Sequence, residues 1–135
     1  MDAITMEYRV PYADTDQMGV VYYANYLAIF ERARNELMRA AGYSYKRCEA
    51  EGWMLPVIHA EVDYKSPAHY DDLLEVKAWV SEMRGVRVVI SCEVRRKGES
   101  EILVRGFTRH CFVSTETFRP TPLPDELVAE FAKED

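Results

Sequence analysis

The run Asp14-Thr15-Asp16-Gln17-Met18-Gly19 places two carboxylates in a loop that leads directly into a helical segment. A helix N-terminus presents unpaired backbone N–H groups and the positive end of the helix dipole. Such a place can hold an oxyanion or polarise a carbonyl. A carboxylate beside it can act as general base or as nucleophile. Transfer of an acyl group to water needs those two parts. The competing reading is structural: Asp is a preferred N-cap, so one Asp can cap the helix while the other shapes the turn. Two further readings fail on spacing and topology. A calcium loop of the EF-hand kind needs an oxygen ligand at its fifth position and Glu at its twelfth, where this chain has Met18 and Asn25. Asp-x-Asp phosphotransferases need an alternating β-α-β order, which the chain lacks.

Other polar residues are weaker candidates. Glu31 falls at the boundary of the helix's apolar stripe and can supply a second carboxylate near the loop, or be an ordinary solvated helix glutamate. His59 is opposite in phase to Ile58 and Ala60 and can line a cleft, or be a surface or interface histidine. His69 and His110 have no motif around them. Cys92 shares the apolar phase of its strand and reads as core, and no signature marks Cys48, Cys92 or Cys111 as a nucleophile.

The elements that must position these residues follow from periodicity. Residues 4–12 alternate, with Ile4, Met6, Tyr8, Val10 and Tyr12 in one phase, which predicts a half-buried strand. A helix is expected from about Tyr22 to Ala41, with Tyr22, Tyr26, Ile29, Ala33, Leu37 and Ala40 on one side and Tyr23, Leu27 and Phe30 widening the stripe. Gly42 sits where a C-terminal cap belongs. Ser44 can cap a short helix reaching Glu51. Four strands are expected next: one with Ile58, Ala60, Val62 and Tyr64 in phase, then Leu73–Glu82, Val86–Val94 and Ile102–Ser114. Gly85 and Lys97-Gly98-Glu99 mark hairpin turns. Past Pro120, Pro122 and Pro124, Asp125 is expected to cap a short helix reaching Phe131. Consecutive hairpins imply antiparallel pairing, and one long helix against such a sheet is an α+β layer.

Composition agrees with one domain, residues 1–135. The chain is 48% hydrophobic and 30% charged, which excludes a disordered chain. A formal net charge of −6 disfavours nucleic-acid binding. Three widely spaced cysteines with no Cys-x-x-Cys pair argue against zinc and for a reduced, cytoplasmic setting. The N-terminus does not read as a signal peptide, and no apolar run is long enough to span a membrane.

The run from Tyr12 to Tyr26 resembles the signature of the 4-hydroxybenzoyl-CoA thioesterase family of hotdog proteins. Phe30-Glu31-Arg32-Ala33-Arg34, Tyr70-Asp71-Asp72-Leu73 and Met83-Arg84-Gly85 also fit, and the similarity extends from about Tyr8 to Phe131. The resemblance implies a hotdog fold: an antiparallel sheet of about five strands wrapped around one long central helix. It implies an acyl-CoA thioesterase that uses no cofactor and no metal, with Asp16 as the catalytic carboxylate, by base or nucleophile chemistry, and the backbone N–H at Tyr23 polarising the thioester carbonyl. Many relatives carry His at that position and others Tyr. Asp14 is left to loop structure. Gly19, Glu31, His59, Arg84 and Arg87 are candidates for substrate binding; Arg84 matches a position that contacts CoA in relatives. Arg87 and Arg95 share a phase of the next strand and can extend a basic patch, although edge strands use such charges for solubility as well. A homodimer or homotetramer is implied, with no nucleic-acid or membrane partner. Alternatives on the same fold are an acyl-carrier-protein thioesterase and a non-catalytic acyl-CoA binder. Tyr22, Tyr23, Tyr26, Trp53 and Trp79 can shape an aromatic acyl pocket or serve as core, and the acyl group stays open.

Overall fold

The computed structural model describes residues 1–133. Five strands form one antiparallel sheet: β1 (Ile4–Arg9), β3 (Val57–Tyr64), β4 (Leu73–Arg84), β5 (Arg87–Arg96) and β6 (Val104–Cys111), in the order β1-β4-β5-β6-β3. A two-stranded ribbon joins β2 (Trp53–Met54) to β7 (Val113–Ser114). The helices are α1 (Asn25–Ala40), α2 (Tyr45–Ala50) and α3 (Asp125–Phe131). The architecture is α+β, and α1 lies against β1, β4 and β5.

The helix α1 starts at Asn25 rather than at Tyr22. Tyr22, Tyr23 and Ala24 instead make a tight entry turn. Their carbonyls accept the Asn25, Tyr26 and Leu27 amides at 2.9, 3.3 and 3.3 Å. The buried face is Tyr26, Ile29, Phe30, Ala33, Arg34, Leu37 and Met38, the i, i+3, i+4, i+7 spacing of an amphipathic helix. This stripe is rotated from the expected one. Tyr22, Tyr23, Leu27 and Ala40 are exposed, while Arg34 and Met38 are buried, because the sheet covers the side centred on Phe30 and Ala33. At Gly106 of β6 the Phe30 ring lies against the backbone: a Cβ there would lie 2.7 Å from that ring and 2.4 Å from the Glu61 carbonyl oxygen. The expected caps at the far end are present. Gly42 takes φ 82°, its N–H bonds the Arg39 carbonyl at 2.9 Å, and the Tyr43 N–H bonds that of Met38 at 2.9 Å, a Schellman closure. Ser44 accepts the Arg47 amide at 3.1 Å and so caps α2.

Three expectations are corrected. The run Ile102–Ser114 is not one strand. At buried Phe112, whose N–H bonds the Val86 carbonyl at 2.8 Å, the chain leaves the main sheet, and Val113 and Ser114 pair with β2. Asp125 does not cap α3. Pro124 holds the cap position, its carbonyl accepting the Leu127 and Val128 amides at 3.0 Å, and Asp125 with Glu126 fills the first turn, where the dipole favours acidic groups. Finally, the strand with Ile58, Ala60, Val62 and Tyr64 in phase is present as β3, but of that phase Val62 alone is partly buried against the core. It is an edge strand with a bulge at Ile58, and Val57, Ile58 and Tyr64 are each about half exposed.

One polar cluster is buried between α1 and the sheet. Arg34 donates to the Tyr45 hydroxyl and, at 3.3 Å, to Thr108 Oγ1. Thr108 Oγ1 lies 2.7 Å from His110 Nε2, and His110 Nδ1 lies 3.0 Å from the Leu55 carbonyl oxygen. A carbonyl only accepts, so Nδ1 carries the proton and Thr108 donates to Nε2. Burial, followed by the Arg34 charge, pushes the His110 pKa down from 6.5 to about 4. The unfolded chain therefore binds a proton below pH 6.5 that the folded chain refuses until about pH 4. Stability should fall as pH drops through that window and be unaffected by this group above it. The loss of Tm between about pH 7 and about pH 5 should be smaller in His110→Gln than in the wild-type chain; equal losses would contradict this account.

Candidate active site

The Asp16 loop is tied at both ends. A 3-10 turn, Tyr12–Asp14, leads into it, and a bridge pairs Thr15 with Val21. Within it the Asp16 N–H bonds the Val20 carbonyl and the Gly19 N–H bonds the Asp16 carbonyl, each at 3.0 Å. Gly19 takes φ 78°, a left-handed conformation that side chains resist. Its amide is occupied inside the turn, so its part is to shape the loop. From outside, the Val21 N–H bonds the Ala68 carbonyl at 2.9 Å and Val20 bridges to His69. The segment carrying Ala68 is held in turn by Asp72, whose Oδ2 accepts the His69 amide at 2.8 Å and Arg96 Nε at 3.0 Å.

The two carboxylates have different surroundings. Asp14 is built into the frame. Tyr8 donates its hydroxyl to Asp14 Oδ2, and the Asp14 carbonyl accepts the Tyr22 amide at 2.8 Å and Asn25 Nδ2 at 2.9 Å. Burial, then the Asp14 hydrogen bond, raises the Tyr8 pKa to about 12. Asp16 is half-buried, and its Oδ1 accepts the Met18 amide at 2.8 Å. Its other oxygen takes no hydrogen bond among the described residues. Neither Asp caps α1: the cap position is Ala24, with no side-chain bond. The helix-capping reading of the loop is thereby excluded. The Tyr23 and Ala24 amides also donate to no acceptor among the described residues, and Tyr23 lines the same cleft as Asp16.

That cleft has a volume of about 260 Å³ and is lined by Asp16, Met18, Val20, Val21, Tyr23, Tyr26 and Tyr64, with Lys65, Ser66 and Pro67 at one side. Its wall is aromatic. The Tyr64 ring packs edge-on against Tyr23 at 6.1 Å and Tyr26 at 5.6 Å, and Tyr22 tilts against Tyr23 at 4.8 Å. The adjacent Tyr23 phenol first, and then burial and the Asp16 charge, raise the Tyr22 phenol. Among the described residues no group of His, Cys, Asp and Glu is arranged to hold a metal ion, and no helix is long and apolar enough to cross a membrane.

The structure thus brings Asp16, Gly19 and Tyr23 to one place and leaves other candidates elsewhere. Glu31 is exposed farther along α1, where its charge acts on Tyr45. His59 lies on edge strand β3, 3.0 Å from Glu61 Oε1 and stacked on Phe107. Arg84 and Arg87 flank the hairpin turn at Gly85 and line a separate concavity of about 660 Å³, together with Arg109 and Glu82. The two clefts share no lining residue. Arg95 is paired with Glu93 at 2.9 Å and does not join the patch. Trp53 lines a third cleft with Tyr45 and Phe118, and Trp79 lies beside Lys77. Burial raises the Cys48 and Cys92 thiols to about 11 and about 12, which keeps both protonated and unreactive. Sequence reasoning missed two residues, Tyr64 and Arg109. Tyr64 was visible only as one more apolar-phase residue of its strand, and Arg109 carried no local signal.

Comparison with known proteins identifies the family. Residues 10–131 match the family described as the thioesterase-like superfamily. The chain is 38% identical over 128 residues to the acyl-CoA thioester hydrolase YbgC of Escherichia coli, spanning 91% of each chain. It is 29% identical to a 1,4-dihydroxy-2-naphthoyl-CoA hydrolase of Synechocystis, over 92% of this chain and 91% of that one. Among solved structures, Slr0204 of Synechocystis, a 1,4-dihydroxy-2-naphthoyl-CoA thioesterase, superposes with TM-score 0.88 at 26% identity, over 96% of both chains. Protein TT1821 of Thermus thermophilus gives 0.88 at 30% identity, over 95% of this chain and 96% of its own. With nearly the whole chain matched in sequence and in fold, this protein belongs to the thioesterase-like superfamily of hotdog proteins.

Proposed function

We propose that this chain hydrolyses acyl-CoA thioesters to the free acid and CoA at the Asp16 cleft. The observation that supports the reading is one cleft lined by both Asp16, whose second carboxylate oxygen has no hydrogen-bond partner among the described residues, and Tyr23, where the chain enters α1 with two amides that have none either. The thioester carbonyl oxygen sits at the Tyr23 and Ala24 N–H groups. As the carbonyl carbon becomes tetrahedral, its negative charge grows where fixed donors and the helix dipole already point. Asp16 takes a proton from the attacking water, or attacks the carbon itself to give a mixed anhydride that water then cleaves. In either route the C–S bond breaks, CoA leaves as thiolate and collects a proton, and the acid retains one water oxygen. Gly19 serves by holding Asp16 in its turn.

Arg84, Arg87 and Arg109 supply the complementary charge. None of the three is ion-paired among the described residues, and they line one concavity in an otherwise acidic chain. Guanidinium groups match phosphate geometry. In CoA the pantetheine arm separates the phosphates from the thioester, so a phosphate site distinct from the Asp16 cleft suits this substrate. Edge strand β3 exposes Val57 and Ile58 and an unpaired row of backbone groups. Such an edge calls for cover. Pairing with a second copy, in a homodimer or homotetramer, supplies it and places His59 at the joint, while Glu31 would meet substrate only from the exposed side of α1.

Two measurements test this reading. Asp16→Asn keeps an acceptor for the Met18 amide, so the turn should persist, yet it removes the base. Thiol release from acyl-CoA should lose roughly 10²-fold or more in kcat with little change in Tm. Asp14→Ala should do the reverse, costing about 1–3 kcal/mol of stability through the lost Tyr8 bond and less in rate. A folded Asp16→Asn protein with near-normal kcat would return the loop to a structural role. Separately, free CoA should inhibit competitively, and less so at high salt because exposed charge contacts are screened. Inhibition that does not change with salt would remove the arginine cleft from the account.

A further inference from the structure

The entry turn of α1 is also held from across the cleft. Tyr64, the last residue of β3, donates its hydroxyl to the Tyr23 carbonyl at 3.0 Å. That carbonyl belongs to the Tyr23–Ala24 peptide, whose N–H is one of the two unpaired amides. Its other bond, from the Tyr26 amide, is long at 3.3 Å and aligns the peptide only loosely. The Tyr64 ring packs edge-on against both Tyr23 and Tyr26, contacts that favour the orientation carrying its hydroxyl to that carbonyl. A phenol is a donor at neutral pH, and burial, then interaction with Tyr23, raises that of Tyr64 further above its ordinary value of 10.0. A hydrogen bond accepted by a peptide carbonyl polarises the peptide and strengthens its N–H as a donor.

We propose that Tyr64 is a positioning residue for thioester hydrolysis: its hydroxyl fixes and polarises the Tyr23–Ala24 peptide so that the Ala24 amide meets the developing oxyanion. The inference rests on the thioesterase reading of the Asp16 cleft. It assigns Tyr64 no contact with the reacting atoms. The bland role for the same residue is wall packing, which the ring alone would satisfy.

Tyr64→Phe separates the two, because it keeps the ring and deletes only the hydroxyl. The positioning role lowers kcat about 5-fold, the scale of one net hydrogen bond. KM and Tm stay near wild type, since ground-state binding and packing are retained. In the amide NMR spectrum of the same variant, without substrate, the Ala24 resonance moves while those of the Asp16 turn stay in place. Unchanged kcat overturns the proposal, and so does an Ala24 resonance that does not move. A parallel loss in KM and Tm also overturns it, because that pattern belongs to wall packing. If the wild-type protein releases no thiol from any acyl-CoA, the thioesterase reading has failed on its own. The Ala24 resonance then still decides whether the Tyr64 hydroxyl holds that peptide.

Discussion

The Asp14 carbonyl accepts two hydrogen bonds, from the Tyr22 amide and the Asn25 side chain, and the rest of the site hangs from it. These bonds fasten the carboxylate loop to the first turn of α1. A loop on its own would leave Asp16 free to wander, and a positioned carboxylate loses much of its value when it is displaced by an ångström. The tie is made by the Asp14 backbone carbonyl, while the Asp14 side chain accepts the Tyr8 hydroxyl and the Asp16 side chain makes one bond, to Met18. The two side chains therefore differ in their surroundings: Asp14 is bonded to Tyr8 of β1, and Asp16 keeps one oxygen without a partner among the described residues.

The frame itself needs an immobile helix. Phe30 lies so close to Gly106 that no larger residue fits there without displacement, and interiors at native packing density resist such displacement. Along the same helix, Arg34 reaches Thr108, which links to His110. Burying a cation is costly, and hydrogen bonds to Tyr45 and Thr108 offset part of that cost. At the other side, Asp72 and Arg96 hold the segment that bonds Val21. The cleft therefore sits between a packed helix and a latched loop, with Tyr64 at the end of edge strand β3 in its wall.

Much of this was legible in the chain, for definite reasons. Alternation at Ile4, Met6 and Tyr8 marked β1, and Gly42 and Ser44 marked the caps, because each is a local rule satisfied by local residues. The Asp16 loop stood out because two acids before a helix are chemically unusual. What could not be read depends on partners distant in sequence. The apolar stripe of α1 is wide enough to permit more than one facing, and only the sheet decides that Arg34 and Met38 go in while Leu27 stays out. Phe112 leaves the main sheet because β2 is there to receive Val113 and Ser114. Tyr64 and Tyr23 are far apart along the chain, and nothing near either one announces that a hydroxyl of β3 will meet a carbonyl at the start of α1. Arg109 joins Arg84 and Arg87 only through the pairing of β5 with β6.

The central claim is spatial: a thioester carbonyl rests on the amides at the start of α1 while Asp16 faces its carbon. A crystal structure of the Asp16→Asn protein with an intact acyl-CoA tests this most directly. The account predicts the carbonyl oxygen about 3 Å from the Tyr23 or Ala24 amide nitrogen, with the substituted side chain beside the thioester carbon. An acyl group held instead in the cleft between Trp53 and Phe118, with the entry amides of α1 left empty, would contradict it.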